Sequence, residues 1–560
     1  MNRIYLSIVY VGTLLFSACS GFLDENPKNN ILAESFFVDL KTATSAVNNL
    51  YRLGPNNWSS PGVYSGSNLM MGGWCSGLFD NLNYKGQEVY IQYAQQFEMT
   101  SNNVDSKMGT LFNEPYQAIG RANVVINVLP TVDLLATGIS QDNINMLVAE
   151  SKFFRAQNYL WLVRHFGDVP MVTVPQTASD DLKLPRTDAK TIYEQVIIPD
   201  LQEAINTLPI RAQYNDNMRI TAPIASAYLI DTYVQMAGYP VNDASKWILA
   251  AAEAKKFLPG GAYANLYELL DNEDFEELSA YNKLRSVNVH TASPGGRKTT
   301  TCPEFIYTAE FFAGISNAGF NANAWPLEVG ALGSGECKVT LTNNAYKPMP
   351  RYLAMYDEAN DLRMKEKQFF VNAFEKMDGS FLPNPETNTP SPYFFYDWGG
   401  VKIENSSGRH FALYRLAEMY LFAAEAIAQT EGVTAQAVDA LATIRARAYE
   451  FGGITKGEIL TELSALSKDQ FIEQVWLERY RELVFEYKDW NLIQRTRKYP
   501  KTNAMDASIP LGIAQFVDIT TVSTDFATKN FTVNNLLWPI PRTQMQRNPN
   551  LSNNPGYEEN

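Results

Sequence analysis

Apolar positions between Asn143 and Phe166 recur at the three- and four-residue spacing of an amphipathic helix. They are Leu147, Phe153, Phe154, Tyr159, Leu160 and Val163. Gly167 follows directly and Pro170 cannot continue a helix, so the pattern predicts a helix that ends at Phe166. Comparable patterns predict helices over residues 104–129, 187–206, 221–236, 243–257, 412–429, 434–449 and 468–487.

Two stretches, residues 221–258 and 412–450, are predicted as helix–turn–helix units of about the length of a tetratricopeptide repeat. Their helix faces carry small side chains, which let helices approach closely. These are Ala225, Ala227, Ala251, Ala252, Ala254, Ala423, Ala424, Ala426, Ala440 and Ala442. The pattern favours a mainly α scaffold of TPR-like helix pairs; generic antiparallel helix packing is the alternative.

Two other regions, residues 55–96 and 292–407, show no sustained helical period and are rich in Gly, Asn, Pro, Ser and aromatic residues. Long loops of this kind usually carry function rather than stability. The sequence therefore predicts a loop-rich, irregular part mounted on the helical scaffold.

The N-terminus has the composition of a signal peptide. Arg3 precedes a mostly apolar run from Ile4 to Phe16, which is shorter than the roughly 20 residues that a membrane-spanning helix needs. The run ends in Ser17-Ala18-Cys19, and small residues before a cysteine suit a lipoprotein signal peptidase. We therefore expect residues 1–18 to be a lipoprotein signal peptide and Cys19 to be the lipid attachment site. An ordinary cleaved secretory signal is the alternative.

Charge and composition exclude several classes of function. The 560-residue chain is 46% hydrophobic and has a formal net charge of −14, which argues against binding to nucleic acid and against adsorption to anionic lipid. The cysteines are Cys19, Cys75, Cys302 and Cys337, and the histidines are His165, His290 and His410. Their spacing matches no CxxC or HExxH motif, so we expect no metal site, no cofactor and no cysteine- or histidine-based catalytic centre.

Six blocks, in a fixed order from residue 19 to residue 557, resemble the SusD/RagB family of outer-membrane nutrient-binding lipoproteins of Bacteroidetes. They are Cys19–Asp24; Phe154–Ala156 with Gly167–Pro170; Leu184–Arg186 with Asp200–Ala204 and Leu208-Pro209; Tyr414–Leu421 with Ala424–Ala426 and Ile444–Ala448; Glu478–Glu486; and Pro539–Pro541 with Asn548-Pro549 and Asn554–Tyr557. Around Trp490 the family usually has Arg and Asp where this chain has Asp489 and Leu492, and Asn553 replaces a common Gln. These departures put local ion pairing in doubt.

The resemblance implies a mainly α, SusD-like fold with a TPR-like scaffold and a loop-rich region. After the signal peptide it implies a single body over residues 19–560, with an N-terminal region of about 19–291 and a RagB/SusD region of about 292–560. It further implies a surface-exposed lipoprotein of the outer membrane that binds glycans without cleaving them and delivers them to a SusC-like TonB-dependent transporter. A RagB-type peptide-binding lipoprotein is the alternative, and an all-helical glycoside hydrolase is a weaker one.

Family members place stacking aromatics in an early loop and in the middle insertion, and sugar binding needs flat aromatic faces with amide or charged partners for hydroxyls. Tryptophans on or beside predicted helices are better explained as core residues. The candidate ligand contacts are therefore Trp58, Trp74, Asn81, Asn83, Tyr84 and Trp325. Loop packing is the alternative role for each.

Carboxylates in the helical blocks have a structural explanation. Arg415 and Glu418 stand three residues apart, as do Arg479 and Glu482, and this spacing allows ion pairs along one helix face. Paired carboxylates could instead supply a general acid and base. The family resemblance favours the structural role, so no catalytic residue is expected.

Overall fold

The computed structural model describes residues 37–56, 67–81, 89–176, 182–216, 218–276, 278–286, 291–293, 296–298, 302–309, 346–376, 378–383, 390–394 and 410–557. The α-helices within them are α1 Leu40–Leu50, α2 Ser67–Ser76, α3 Val89–Gln95, α4 Asp105–Val128, α5 Leu134–Thr137, α6 Gln141–Phe166, α7 Ala189–Ile192, α8 Ile198–Thr207, α9 Ala222–Ala237, α10 Lys246–Ala254, α11 Ala280–Ser286, α12 Pro350–Leu353, α13 Leu416–Glu431, α14 Ala435–Tyr449, α15 Lys456–Ser464, α16 Lys468–Glu482, α17 Asp489–Thr496 and α18 Arg542–Arg547. A π-helical turn, Tyr193–Ile197, joins α7 to α8.

Short β-strands form two-stranded antiparallel pairs between the helices. The strands are β1 Phe79–Asp80, β2 Thr291–Ser293, β3 Gly296–Lys298, β4 Phe305–Ala309, β5 Lys347–Pro348, β6 Phe370–Val371, β7 Ala373–Glu375, β8 Phe381–Pro383, β9 Ser391–Pro392, β10 Phe411–Arg415, β11 Lys498–Thr502 and β12 Ala514–Asp518. The pairs are β1–β5, β2–β3, β4–β10, β6–β9, β7–β8 and β11–β12. The described part of the chain is therefore mainly α, as expected.

Helix α6 ends at Phe166, as the sequence predicts, and begins at Gln141, two residues before the predicted run. The Ser140 side chain accepts a hydrogen bond from the backbone N–H of Asn143 and caps the first turn. Gly167 follows the last turn at φ 69°, a left-handed conformation that glycine adopts at little cost.

The two predicted helix pairs pack side by side. Helix α10 packs against α9 of its own pair and against α13 of the next pair, and α13 packs against α14. The predicted small residues are buried at these contacts, with the exception of Ala252, which is exposed. Close backbone approach thus explains the alanine-rich faces.

Two predicted helix boundaries are wrong. Residues 412–415 belong to strand β10, and the helix begins only at Leu416, because Arg415 has an extended backbone and pairs with Phe305 of β4. The predicted segment 468–487 also ends early: α16 stops at Glu482, and α17 begins at Asp489.

Candidate functional site

Two of the predicted ligand contacts are packing residues in the structure. Trp74 lies in α2 with its side chain completely buried, and Asn81, directly after β1, is 1% exposed. A stacking platform needs an accessible ring face, so the buried Trp74 offers no surface to a ligand. Trp58, Asn83, Tyr84, Trp325 and the lipid-attachment residue Cys19 lie outside the described residues.

The tryptophans on or beside predicted helices contribute to the core, as expected, and Trp538 near the C-terminus does so too. Trp490 and Trp538 are almost completely buried, and Trp247 is 9% exposed. Trp161 and Trp476 are partly buried, and each donates an indole hydrogen bond, to the Leu111 carbonyl and to Glu425 respectively.

Short strand pairs mark the points at which the loop-rich segments join the scaffold. Strand β1 pairs with β5, so Asp80 lies opposite Lys347. The chain therefore enters segment 82–88 beside the point at which it leaves segment 310–345. Strand β4, which leads into segment 310–345, pairs with β10, which follows segment 395–409. The two strand pairs hold the ends of these segments on the scaffold.

A row of aromatic rings connects the two strand pairs. Phe79 of β1 stacks on Tyr346 with ring centroids 3.9 Å apart. Tyr346 contacts Tyr487 at 5.1 Å, and Tyr487 contacts Phe411 of β10 at 5.8 Å. Offset and tilted ring contacts of this kind add roughly 0.5–1.5 kcal/mol each beyond burial. The sequence alone did not reveal this row, because its members are far apart along the chain.

Gly73 of α2 gives the aromatic row a testable weak point. A Cβ added there would lie 2.2 Å from the Tyr346 hydroxyl oxygen. We expect Gly73→Ala to displace Tyr346 and to lower the free energy of unfolding by about 1–3 kcal/mol. Chemical denaturation should show this loss. Gly109→Ala in α4 is the matched control, because its Cβ would meet nothing within 4 Å; there the better helix propensity of alanine should stabilise the protein slightly. Equal effects of the two changes would contradict the proposed packing role of Gly73.

A cleft lies beside this aromatic row, between α6, α17 and β10. Its cavity has a volume of about 70 Å³, and its lining includes Trp161, Tyr228, Tyr414, Trp490 and Trp538. That is room for several water molecules.

The ionisable groups that line the cleft interact with the protein itself. Lys488 lies 3.1 Å from the Glu418 carboxylate and 3.9 Å from the centre of the Tyr414 ring. Burial lowers the pKa of His165 to about 3, and one of its ring nitrogens lies 2.8 Å from the Trp161 carbonyl oxygen. The cleft is thus a polar, aromatic-lined recess whose histidine is neutral at ordinary pH.

The predicted ion pairs along single helices are wrong. Arg415 instead bonds Glu304, Glu482 and Glu486, while Glu418 pairs with Arg479 and Lys488. Arg415 has an extended backbone before the helix, so its side chain does not share a helix face with Glu418. Arg415, Glu418, Arg479 and Glu482 therefore bind across elements and not along one helix.

The contacts of Arg415 belong to a buried cluster of charged residues, which we call the arginine–carboxylate network. Its members are Asp361, Glu304, Glu478, Glu482 and Glu486 with Arg363, Arg415, Arg445, Arg447 and Arg481. The network joins strand β10, and Glu304 directly before β4, to helices α14 and α16. Most of these residues fall in the blocks that resemble the family, but the blocks do not show which carboxylate pairs with which arginine.

The arginines set the protonation of this network. Burial alone would raise the pKa of Glu304, but Arg447 and Arg415 outweigh it and hold the pKa at about 2. Arg363 and Arg445 likewise hold the pKa of Glu478 at about 2, although burial alone would raise it. Glu486 differs: burial raises its pKa to about 7, although Arg415 opposes the shift. Glu486 lines the cleft described above, but it is only 4% exposed, and Arg415 bonds one of its carboxylate oxygens.

The two described cysteines, Cys75 and Cys302, are free and buried, and burial raises the pKa of each to about 12. Cys337 lies outside the described residues. Across the part of the chain that the structure describes, no cluster of three potential metal ligands occurs. Within the same residues, no helix has both the length and the apolar character needed to cross a bilayer.

Comparison with known proteins gives consistent matches at both ends of the chain. A family model described as "SusD family" matches residues 386–557, and another, described as "Starch-binding associating with outer membrane", matches residues 21–233. A SusD-like protein, P2, from Formosa agariphila is 24% identical over 98% of this chain and 99% of its own length.

Solved structures share the fold. A SusD superfamily protein from Parabacteroides distasonis superposes with a TM-score of 0.73 at 24% identity, covering 92% of this chain and 99% of that one. Surface glycan-binding protein A from Bacteroides thetaiotaomicron, solved in complex with laminarihexaose, gives a TM-score of 0.65 at 16% identity, covering 92% and 99% of the two chains. Each likeness covers 92% of this chain and confirms the expected fold class.

Proposed function

Because the chain belongs to the SusD/RagB family, we propose that it is a non-catalytic glycan-binding lipoprotein of the outer membrane that passes oligosaccharides to a SusC-like TonB-dependent transporter. The observation that carries this proposal is the match of residues 21–233 to a family described as starch-binding and associated with the outer membrane. The full-length likeness to a glycan-binding protein solved with laminarihexaose supports the same ligand class.

The described carboxylates support a binding role without catalysis. Glycoside hydrolysis needs two carboxyl groups that flank a substrate bond, one of them as a general acid. In the arginine–carboxylate network, Glu304 and Glu478 are held ionised by arginines, and Glu486 is 4% exposed and bonded to Arg415. Glu304 and Glu478 stabilise the scaffold. Among the described residues that line the cleft, Glu486 is the one carboxylate, so the second carboxyl group that hydrolysis needs is not present there.

We place the main glycan site on the loop-rich side and propose Trp58, Asn83, Tyr84 and Trp325 as its contacts. The support is the convergence of described scaffold residues: Asp80 and Lys347 are paired, and they adjoin the segments that carry Asn83, Tyr84 and Trp325. Aromatic faces would stack on sugar rings and the amide would bind hydroxyls.

Calorimetric titration of the purified protein tests the ligand class. We expect saturable binding of at least one neutral oligosaccharide from a panel that includes laminarihexaose and maltohexaose, with no shorter products by chromatography. A parallel panel of short peptides tests the RagB-type alternative. Binding of peptides alone would overturn the glycan proposal, and release of shorter sugars would overturn the non-catalytic role.

Single substitutions test the placement of the site. Trp58→Ala and Trp325→Ala should each weaken glycan binding by about tenfold, which corresponds to the loss of one stacked ring. Trp398→Ala is the matched control, because Trp398 also stands in the middle insertion but is not a proposed contact. An equal loss in all three variants would point to loop packing instead.

Attachment through Cys19 is a separate prediction. Replacing Cys19 by Ala removes the thiol that would carry the lipid, so we expect the protein to lose its membrane retention while the purified variant binds glycan normally. Protease accessibility on whole cells and fractionation of membranes measure the outcome. Persistent membrane association of Cys19→Ala would contradict a lipid anchor at this residue.

A further inference from the structure

Two phenylalanine rings contact each other at the surface of the protein. Phe275 is 56% exposed and Phe451 is 47% exposed, and Leu278, three residues after Phe275, is also 47% exposed. The ring centroids are 5.9 Å apart, with the planes inclined at 64°. Removing apolar surface from water is favourable, so exposed rings in contact with each other offer surface that a partner can cover.

The backbone that carries Phe275 is held by hydrogen bonds. The buried Gln368 amide donates to the carbonyl oxygens of Phe275 and Glu276, at 3.2 and 3.1 Å. The Asp274 carboxylate accepts from the backbone N–H groups of Glu276 and Leu278, both at 2.8 Å. Because the backbone is already fixed, a partner that covers Phe275 does not first have to order a loop.

The second ring is joined to the first segment through one amide. Asn272 donates to the Arg447 carbonyl oxygen and to the Glu450 carboxylate, both at 2.8 Å. Phe451 follows Glu450 directly, in a 3-10 turn whose Gly452 packs against the backbone of residue 360. Asn272 thus ties the two ring-bearing segments together.

Carboxylates outnumber the cationic groups around the ring pair. Five described carboxylates stand within four residues of one of the two rings: Asp271, Glu273, Asp274, Glu276 and Glu450. A single ammonium group, that of Lys283, pairs with two of them, Asp271 and Glu273, at 2.9 and 2.6 Å. One positive charge does not balance five negative ones, so the surface around the rings is negative.

Other cations of the adjoining segments have partners of their own. The Arg447 guanidinium bonds two carboxylates of the arginine–carboxylate network. Lys456 pairs with Asp439 at 2.7 Å, and Lys365 donates to the backbone carbonyl oxygens of residues 358 and 359. These cations therefore do not pair with the carboxylates beside the rings.

The carboxylates remain accessible and are spread along the surface. Even with Lys283 bound, the side chains of Asp271 and Glu273 are 81% and 58% exposed, and Glu276 and Glu450 are exposed as well. Among the described residues, no three potential ligands come together as a metal ion requires. Spread-out carboxylates suit several cationic side chains along one partner segment better than a single ion.

We propose that Phe275 and Phe451, with the carboxylates around them, form a docking surface for a basic segment of a partner protein in which arginine or lysine alternates with apolar side chains. The cationic groups of this segment pair with the carboxylates and lie over the ring faces, whose quadrupole attracts cations. Its apolar side chains cover the rest of the rings and Leu278. This docking surface goes beyond glycan binding and does not rest on it.

The partner class follows from charge complementarity combined with apolar contact. A second copy of this chain is disfavoured, because each copy has a net charge of −14 and both would present carboxylates. A neutral sugar leaves the negative charge uncompensated, and a polyamine supplies charge but no apolar side chains. A basic segment with interspersed apolar residues satisfies the rings and the carboxylates together.

Fluorine NMR on the full protein, with 4-fluorophenylalanine at position 275, reports contact at the ring directly. The probe is a synthetic dodecapeptide in which arginine and leucine alternate. We expect it to shift the resonance saturably, and a glutamate–leucine peptide of equal length, or laminarihexaose, to leave it unchanged. No shift with the arginine–leucine peptide would overturn the docking surface and leave the proposed glycan binding standing, because calorimetry measures that separately. A saturable shift with laminarihexaose would overturn it in favour of a glycan contact.

Neutralising two carboxylates tests the electrostatic part. Glu276→Gln with Glu450→Gln leaves the Lys283 pairs intact, and glutamine at 450 can still accept the amide hydrogen bond. We expect the affinity for the arginine–leucine peptide to fall about fivefold at low salt, and by less at high salt because exposed charges are screened. Glu98→Gln with Asp142→Asn removes the same charge at two exposed positions and should change the affinity less than about twofold. Equal losses in the two variants would show attraction to the net charge of the whole protein and would overturn the docking surface.

Substitution of the rings tests the aromatic part. Phe275→Ala with Phe451→Ala should weaken binding of the arginine–leucine peptide at least about tenfold, whereas tyrosine at both positions keeps the ring faces and should retain binding. Leu135→Ala, at a 96% exposed apolar position, is the control and should change nothing. Full binding by the alanine variant, or spermine binding as tightly as the peptide, would contradict a surface that needs both rings and apolar contact. Unchanged thermal unfolding of the variants excludes misfolding as the cause.

Discussion

Replacing Glu482 by glutamine is expected to lower the free energy of unfolding by about 3–5 kcal/mol. Glu482 is completely buried and accepts from Arg363, Arg415 and Arg447 at 3.0, 2.8 and 2.7 Å. Glutamine keeps the shape of the side chain but removes the charge that balances these buried guanidinium groups. The cost of an uncompensated buried charge far exceeds that of a surface ion pair.

Denaturant-induced unfolding, followed by fluorescence and circular dichroism, measures this loss. Glu431→Gln is the matched control, because Glu431 pairs with a single lysine, Lys255, and both side chains are partly exposed. For Glu431→Gln, the loss in the free energy of unfolding should stay below about 1 kcal/mol. If Glu482→Gln cost no more than the control, the arginine–carboxylate network would not be what stabilises this part of the scaffold.

Replacing Asp489 by asparagine should stabilise the protein at neutral and alkaline pH. Asp489 is buried, and burial raises its pKa from 3.8 to about 6 because only weak hydrogen bonds, including one from Ser76 at 3.3 Å, oppose the shift. A raised carboxyl pKa means that the folded state holds a proton more tightly than the unfolded state. Its ionisation therefore costs stability as the pH rises from about 4 through 6, up to roughly 3 kcal/mol above pH 7.

The free energy of unfolding, measured at pH 4, 6 and 8, tests whether ionised Asp489 destabilises the folded protein. Asp489→Asn should gain up to about 3 kcal/mol at pH 8, less at pH 6 and little at pH 4, because the neutral asparagine carries no such penalty. Asp439→Asn, at a half-exposed ion pair with Lys456, is the control and should show no comparable pH-dependent gain. A variant that is destabilised at pH 8 would show that the Asp489 charge has a compensating partner. The position is one where the chain departs from its family, which usually has Arg there.

Local patterns predicted most of the helices because the information lies within one or two turns. The apolar spacing of α6 and the glycine that follows it are local, and the structure agrees with the predicted end at Phe166. The helix expected over residues 412–429 starts late for the opposite reason. Phe411–Arg415 has an apolar pattern that also fits a helix, and only pairing with β4, more than 100 residues earlier, makes it a strand.

The candidate site shows the same difference between what local sequence predicts and what contacts between remote segments decide. Its loop-borne aromatics were identified by composition and by the family resemblance, but composition could not show that Trp74 is a core residue. The exposed Phe275 could have attracted notice as a lone aromatic within the acidic run Asp271–Glu276. Its partner Phe451 could not, because their contact joins positions 176 residues apart.

By itself, the sequence determined the mainly α class, the helix pairs and the family resemblance; the anchor at Cys19 stays a prediction from the sequence. These properties depend on periodicity, on capping residues and on short ordered motifs, all of which are written along the chain. Only the tertiary structure decided which carboxylate pairs with which arginine, which tryptophan is buried and which phenylalanines meet at the surface. Those outcomes depend on burial and on distances between remote segments, and the energy of a charge or a ring is set by the surroundings that folding brings to it.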